Sequence, residues 1–169
     1  MINKDLQDAI NTQIRNEYYS SYLYLSMSAY CESKNFPGFA SWLRRQSNEE
    51  LSHAMRLFDY MLDRDGRVVL HTIDQRPSEF GTLLEMFEDV LEHEKEVTAM
   101  INKLYELSLA NNDHATAVEL QWFIQEQVEE EKSASDLVES LKMAGDNTAA
   151  LLMLDRELTG SDAATNDEV

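Results

Sequence analysis

Glu49-Glu50-Leu51-Ser52-His53-Ala54-Met55 is the stretch on which the fold turns. Glu50 and His53 stand three residues apart among good helix formers, so both project from one face of a helix. A helix packed in a bundle repeats its buried positions at alternating steps of four and three. On that rule Phe39, Leu43, Gln46, Glu50, His53, Leu57 and Tyr60 form one seam. Three more seams share its character. Leu6, Ile10, Gln13, Glu17, Ser20, Tyr24, Met27 and Cys31 make the first. Phe80, Leu84, Phe87, Leu91, Glu94, Thr98, Ile101 and Tyr105 make the third, and Leu120, Phe123, Gln127, Glu130, Ala134, Leu137 and Leu141 the fourth. Each seam is largely apolar at its ends and polar near its middle, which sets the polar residues at one level of a bundle.

The breaks between the seams give the topology. Asn35-Phe36-Pro37-Gly38 ends helix one (about Asp5 to Ser33), and Pro37 suits the first turn of helix two. Helix two runs to about Asp65 with Gly66 as its cap. Residues 66–78 form a long connection with local strand character. Helix three is expected from a Ser78 N-cap to Ala110, and helix four from an Asp113 N-cap to Ala144, before Gly145. A short helix follows from Asp146 to about Leu158, and 159–169 reads as a disordered acidic tail. Short turns make helices one and two, and three and four, antiparallel pairs, while the long connection crosses the bundle between helices two and three. The fold class is therefore all-α, an up-down-down-up four-helix bundle with a short fifth C-terminal helix, in one domain over 1–158.

The 169 residues carry a net charge of −18, which argues against nucleic acid and reads mostly as a solvated acidic surface that attracts cations. Only five Gly and two Pro interrupt the chain, in keeping with long helices. No apolar run reaches membrane-spanning length, and the first residues do not resemble a signal peptide. The lone Cys31 allows no internal disulfide and fits a reducing cytoplasm.

Four carboxylates facing one another inside a bundle repel unless something neutralises them. Arg15, Arg44, Arg45, Arg56 and Lys95 lie off the seams, so side-chain pairing does not account for the cluster. Two divalent cations do. Four carboxylates and one imidazole suit iron or manganese better than structural zinc. Spacing allots Glu17 and His53 to one ion, Glu94 and Glu130 to the other, and Glu50 to both, as a bridge. The halves echo each other: 33 residues separate Glu17 from Glu50 and also Glu94 from Gln127, and each half then has a pair three apart. Gln127 and Glu130 stand where a symmetric site would have Glu and His. The second ion then meets only oxygen ligands, which favours an ion that is oxidised and moves on. Glu49, Glu126, Glu129, Glu130 and Glu131 read either as a solvated acidic face or as a further cation position. Tyr24, seven residues after Glu17, reads as a core tyrosine, as a group that orients a ligand, or as an electron donor. Trp122 reads as packing, and His71, His93 and His114 as surface or loop residues.

The segments 16–25, 49–55, 63–68, 121–123 and 126–131 resemble the non-haem bacterial ferritins, and the resemblance extends from about residue 2 to 158. It implies a cytoplasmic 24-subunit homo-oligomeric shell without haem that oxidises Fe(II) with O2 or H2O2 and stores ferric mineral. It implies a first iron position at Glu17, Glu50 and His53, and a second at Glu50, Glu94 and Glu130. Gln127 and Tyr24 match the family's glutamine and tyrosine beside them. A third iron position would use Glu49, Glu126, Glu129 and Glu130. The fifth helix, with Leu151, Leu152 and Leu154, would line fourfold channels. Ala117 and Leu120 fall where animal relatives have acidic threefold-pore residues, and Ser52 and Met55 where they have nucleation carboxylates. A haem-containing bacterioferritin would want Glu at 127 and His at 130. A rubrerythrin-like di-iron peroxidase, the alternative function, would want two Glu-x-x-His motifs.

Overall fold

The computed structural model describes residues 2–160 and contains five α-helices: α1 (Lys4–Ser33), α2 (Pro37–Asp63), α3 (Leu83–Ala110), α4 (His114–Ala144) and α5 (Thr148–Gly160). Cross-helix contacts fix the directions. Ser21 and Ser28 of α1 bond to Ser47 and Ala40 of α2, while Asn16 and Tyr24 of α1 meet Met100 and Glu94 of α3, so α1 runs antiparallel to both. Tyr60 and Gln46 of α2 meet Thr116 and Glu130 of α4 in the opposite order. The expected up-down-down-up bundle follows.

Left-handed backbone at Asn35, Asp65 and Asn112 makes three of the turns, and short polar side chains tolerate that region best among non-glycine residues. After α2 the left-handed residue is thus Asp65 (φ 53°) and not the expected Gly66. Gly66 still closes the helix, its N–H donating to the Met61 carbonyl (2.9 Å), and it packs closely, since a Cβ there would lie 3.0–3.2 Å from Met61 and Ile2.

Two further expectations fail at the connection. No strand forms among the described residues. The backbone of Arg67 and Val69 is bonded by the side chains of Gln7 and Asn11 on α1, which takes the place of a strand partner. Helix three begins at Leu83, not near Ser78, because Thr82 and Glu85 form a reciprocal capping box. The α3 seam shifts in consequence: Met86, Phe87, Val90, Glu94, Val97, Ile101 and Leu104 are buried, whereas Leu84, Leu91, Thr98 and Tyr105 are only partly so. Similarly Met61 and Val138, rather than Tyr60 and Leu137, are buried in α2 and α4. The eight-residue seam of α1 is buried throughout.

α5 begins at Thr148 under an Asn147 cap, and it runs through Gly160, past the expected end at Leu158. The rest of the expected tail, 161–169, lies outside the described residues. α5 supplies something α2 lacks. The Phe36 N-cap offers no side-chain bond, but Asp155 Oδ1 accepts from Gly38 N (2.8 Å) and Phe39 N (3.0 Å). Gly38 admits this contact because a Cβ would lie 1.7 Å from the Asp155 carbonyl oxygen. Leu151, Leu154 and Leu158 pack against the bundle, while Leu152 and Met153 remain exposed.

Two apolar clusters fill the bundle. One gathers around Tyr24, Phe39, Leu43, Phe87 and Leu141, the other around Leu6, Ile10, Leu57, Ile101 and Leu120. Between them lies a buried layer of Gln13, Glu17, Ser20, Gln46, Glu50, His53, Glu94, Gln127 and Glu130. Ala117 and Leu120 belong to the core, so their side chains do not face a pore.

Candidate metal centre

α1 and α2 bring Glu17, Glu50 and His53 together at no more than 2% exposure each, with one ligand atom from each within 4.8 Å of the others. His53 Nδ1 lies 3.3 Å from Glu50 Oε2. The decisive feature is what these carboxylates lack. Among the described residues no amide, hydroxyl or backbone N–H donates to Glu17 Oε2 or to either side-chain oxygen of Glu50, and at these oxygens the two carboxyls have only each other. Buried acceptors are rarely left this way, and three from two carboxylates in one spot mark a candidate cation position.

The electrostatics agree. Burial lifts the Glu17 carboxyl to about 7, against the opposing pull of the Gln13 amide. Burial, then the charges of Glu17 and Glu94, push Glu50 well above the ordinary range. Glu130 rises to about 9 through burial and then the charges of Glu94, Glu49, Glu126 and Glu17, and burial raises Glu94 as well. His53 moves the other way, to about 4, through burial and the Arg56 guanidinium. Its ring is neutral near pH 7, so a lone pair is free for a metal. Trp122 and Phe123 hold the ring edge-on at 5.3 and 6.0 Å, and Arg56 lies over Trp122 at 4.2 Å. Trp122 therefore packs directly on a candidate ligand.

Neutral donors aim four of the carboxylates, Glu17, Glu49, Glu94 and Glu130. Gln13 Nε2 donates to Glu17 Oε1 (2.8 Å). Tyr24 Oη donates to Glu94 Oε1, and Gln127 Nε2 to Glu94 Oε2 (3.1 Å). Gln46 Nε2 donates to Glu130 Oε2 (2.8 Å) and Glu49 Oε2 (3.2 Å). Of the three readings of Tyr24, orienting a ligand has direct geometric support.

A second group with ligand atoms within 4.8 Å comprises Glu49, His53, Glu126 and Glu130. His53 thus reaches both groups, which sequence spacing does not disclose. Glu129 is exposed and outside this group, although its charge raises Glu49 and Glu126. The expected second set of Glu50, Glu94 and Glu130 is not one of these groups: Glu94 lies outside both, its oxygens accepting from Tyr24 and Gln127. His71 and His114 are exposed, as expected. His93 is not a plain surface residue: it is half-buried, stacks on Tyr19, meets Tyr24 edge-on and bonds Ser20 Oγ at 2.8 Å. Only its place beside Glu94 hints at this.

A helical bundle whose central layer converges unpartnered carboxylates and a neutral imidazole defines a class of proteins that handle metal ions along the bundle axis. The family model for the ferritin-like domain matches residues 7–144. The chain is 45% identical over 158 residues to a bacterial non-heme ferritin of Bacteroides fragilis, covering 94% of this chain and 98% of the relative. It is 36% identical over 162 residues to that of Escherichia coli O157:H7, with 96% and 98% covered. An open pore ferritin from Archaeoglobus fulgidus superposes with a TM-score of 0.93 at 47% identity, covering 94% of this chain and 98% of that one. The chain belongs to the ferritin family, and its function is iron storage. The rubrerythrin-like alternative is not favoured. Among the described residues, no helix is long and apolar enough to cross a membrane.

Proposed function

We propose that this iron-storage chain is a ferroxidase. Two Fe(II) ions occupy the central layer, one held by Glu17, Glu50 and His53 and one by Glu50, Glu94 and Glu130. Each gives one electron to O2, which with two protons becomes hydrogen peroxide; peroxide itself is an alternative acceptor. The observation that carries this reading is the set of three unpartnered oxygens on Glu17 and Glu50. The raised carboxyls supply a consistent proton inventory, because an arriving cation displaces protons that Glu17 and Glu130 hold near pH 7.

The chain's own residues divide the work. His53 offers a neutral nitrogen. Gln13, Tyr24 and Gln127 hold Glu17 and Glu94 in place, so little reorganisation is needed when an ion arrives. The group of Glu49, His53, Glu126 and Glu130, with Glu129 at its exposed side, is a third iron position. Oxidised iron passes into a hollow homo-oligomer of 24 chains, in which ferric mineral accumulates without haem. A cytoplasmic site of action agrees with the single buried thiol.

The test is aerobic addition of Fe(II) to the purified protein, followed by ferric absorbance, particle size and an iron count. Growth of ferric absorbance with hundreds of irons in a large soluble particle supports the reading. Iron that stays ferrous, or precipitates outside the protein at the rate of buffer alone, overturns it. Glu50→Ala is expected to abolish the fast oxidation phase.

A further inference from the structure

Gln46 is a buried amide on α2, one turn before Glu50, yet its hydrogen bonds do not serve Glu50. Its Nε2 donates across the bundle to Glu130 Oε2 at 2.8 Å and along its own helix to Glu49 Oε2 at 3.2 Å. Those carboxylates are two of the four residues in the outer group of Glu49, His53, Glu126 and Glu130. Side by side they repel. An amide NH2 has two N–H donors and no charge, so it draws both inward without displacing a cation as Lys or Arg would. Gln13 makes the corresponding bond to Glu17 in the buried group. Each group thus has its own amide, and neither amide is itself among the converging ligand residues.

We propose that Gln46 is the positioning residue of the outer group, holding Glu49 and Glu130 in place to take a divalent cation, as Gln13 does for the buried group. The proposal rests on the metal-binding reading of both groups. Loss of such a supporting hydrogen bond lowers metal affinity by about 10–100-fold. Here the loss falls on the cation positions that use Glu49 or Glu130 and spares the buried group of Glu17, Glu50 and His53, to which Gln46 makes no bond.

The experiment uses the full chain in its native assembly and Zn2+, which has no redox chemistry. Calorimetric titration gives the affinities, and anomalous scattering at the zinc edge assigns them to positions. Gln46→Met keeps length and volume but removes both donors, and Gln46→Leu repeats the removal in another shape. Each is expected to weaken the outer position by about 10–100-fold and leave the buried position near the wild-type affinity. Gln13→Met is expected to do the reverse. An outer affinity unchanged in both Gln46 variants, or equal losses at both positions, overturns the proposal while leaving the metal-binding reading intact. Wild-type protein that takes no Zn2+ in either group overturns both.

Discussion

Glu17→Gln should make the metal-free protein more stable while impairing it as a cation binder. Lifting a fully buried carboxyl from its ordinary 4.5 to about 7 means that the folded state binds its proton more tightly than the unfolded state. The sign follows from linkage: the advantage of the protonated group is fully present below pH 4.5 and is lost as pH rises through 7. A carboxyl at position 17 costs folding about 3 kcal/mol at pH 8, where the folded chain must bury its charge, and about 1 kcal/mol at pH 5.5, where the unfolded chain ionises it and the folded chain holds it protonated. A neutral amide in its place would remove that cost. The amide carbonyl can keep the bond from Gln13, and the amide NH2 would replace the unpartnered Oε2 facing Glu50. For a chain of this size the gain at pH 8 corresponds to roughly 6–12 °C in the melting midpoint. The assay is thermal unfolding by circular dichroism, in chelator and at fixed protein concentration, at both pH values. A variant that melts at or below the wild type at pH 8, or gains equally at both pH values, would refute the reasoning.

Three more outcomes are expected. Zn2+ binding should release more than one proton per chain at pH 7 and tighten from about pH 6.5 to about pH 9, as Glu17 and Glu130, lifted to about 7 and 9, give up theirs; calorimetry in buffers of different ionisation enthalpy measures this, and no net release would contradict it. Thr82→Ala should cost about 1 kcal/mol by denaturant unfolding and Ser78→Ala almost nothing, because the α3 cap is at Thr82; equal losses would count against the capping box. Asp155→Ala should cost about 1–2 kcal/mol, since two N–H groups of α2 lose their acceptor, and Gly38→Ala should displace α5 through backbone overlap. Limited proteolysis within α5 reads both, and wild-type resistance would contradict the docking described.

The bundle and its polar layer are legible in the sequence because long helices write their packing into one-dimensional periodicity. The α1 seam reads off without error, and so does the convergence of Glu17, Glu50 and His53, which depends only on helical phase and antiparallel neighbours. Reading fails where a local bond outside the periodic pattern decides the outcome. Ser78 is as good a cap by type as Thr82, but only Thr82 has Glu85 three positions on and Gly81 (φ 73°) turning the chain before it. The connection looks like a strand because Val68, Val69 and Leu70 are apolar; nothing in its composition announces that Gln7 and Asn11 bond its backbone. The docking of Asp155 on α2, more than a hundred residues away in sequence, leaves no periodic trace. At the site, Gln13 and Gln46 are visible as polar seam positions, but only coordinates show which carboxylate each amide serves.

The most direct test of the central claim is anomalous scattering at the iron edge from crystals soaked anaerobically in Fe(II). The account predicts peaks between Glu17, Glu50 and His53 and between Glu50, Glu94 and Glu130, with the three unpartnered oxygens at bonding distance from iron. Featureless density there in fully soaked crystals, with those carboxyls protonated and bonded to one another, would contradict it.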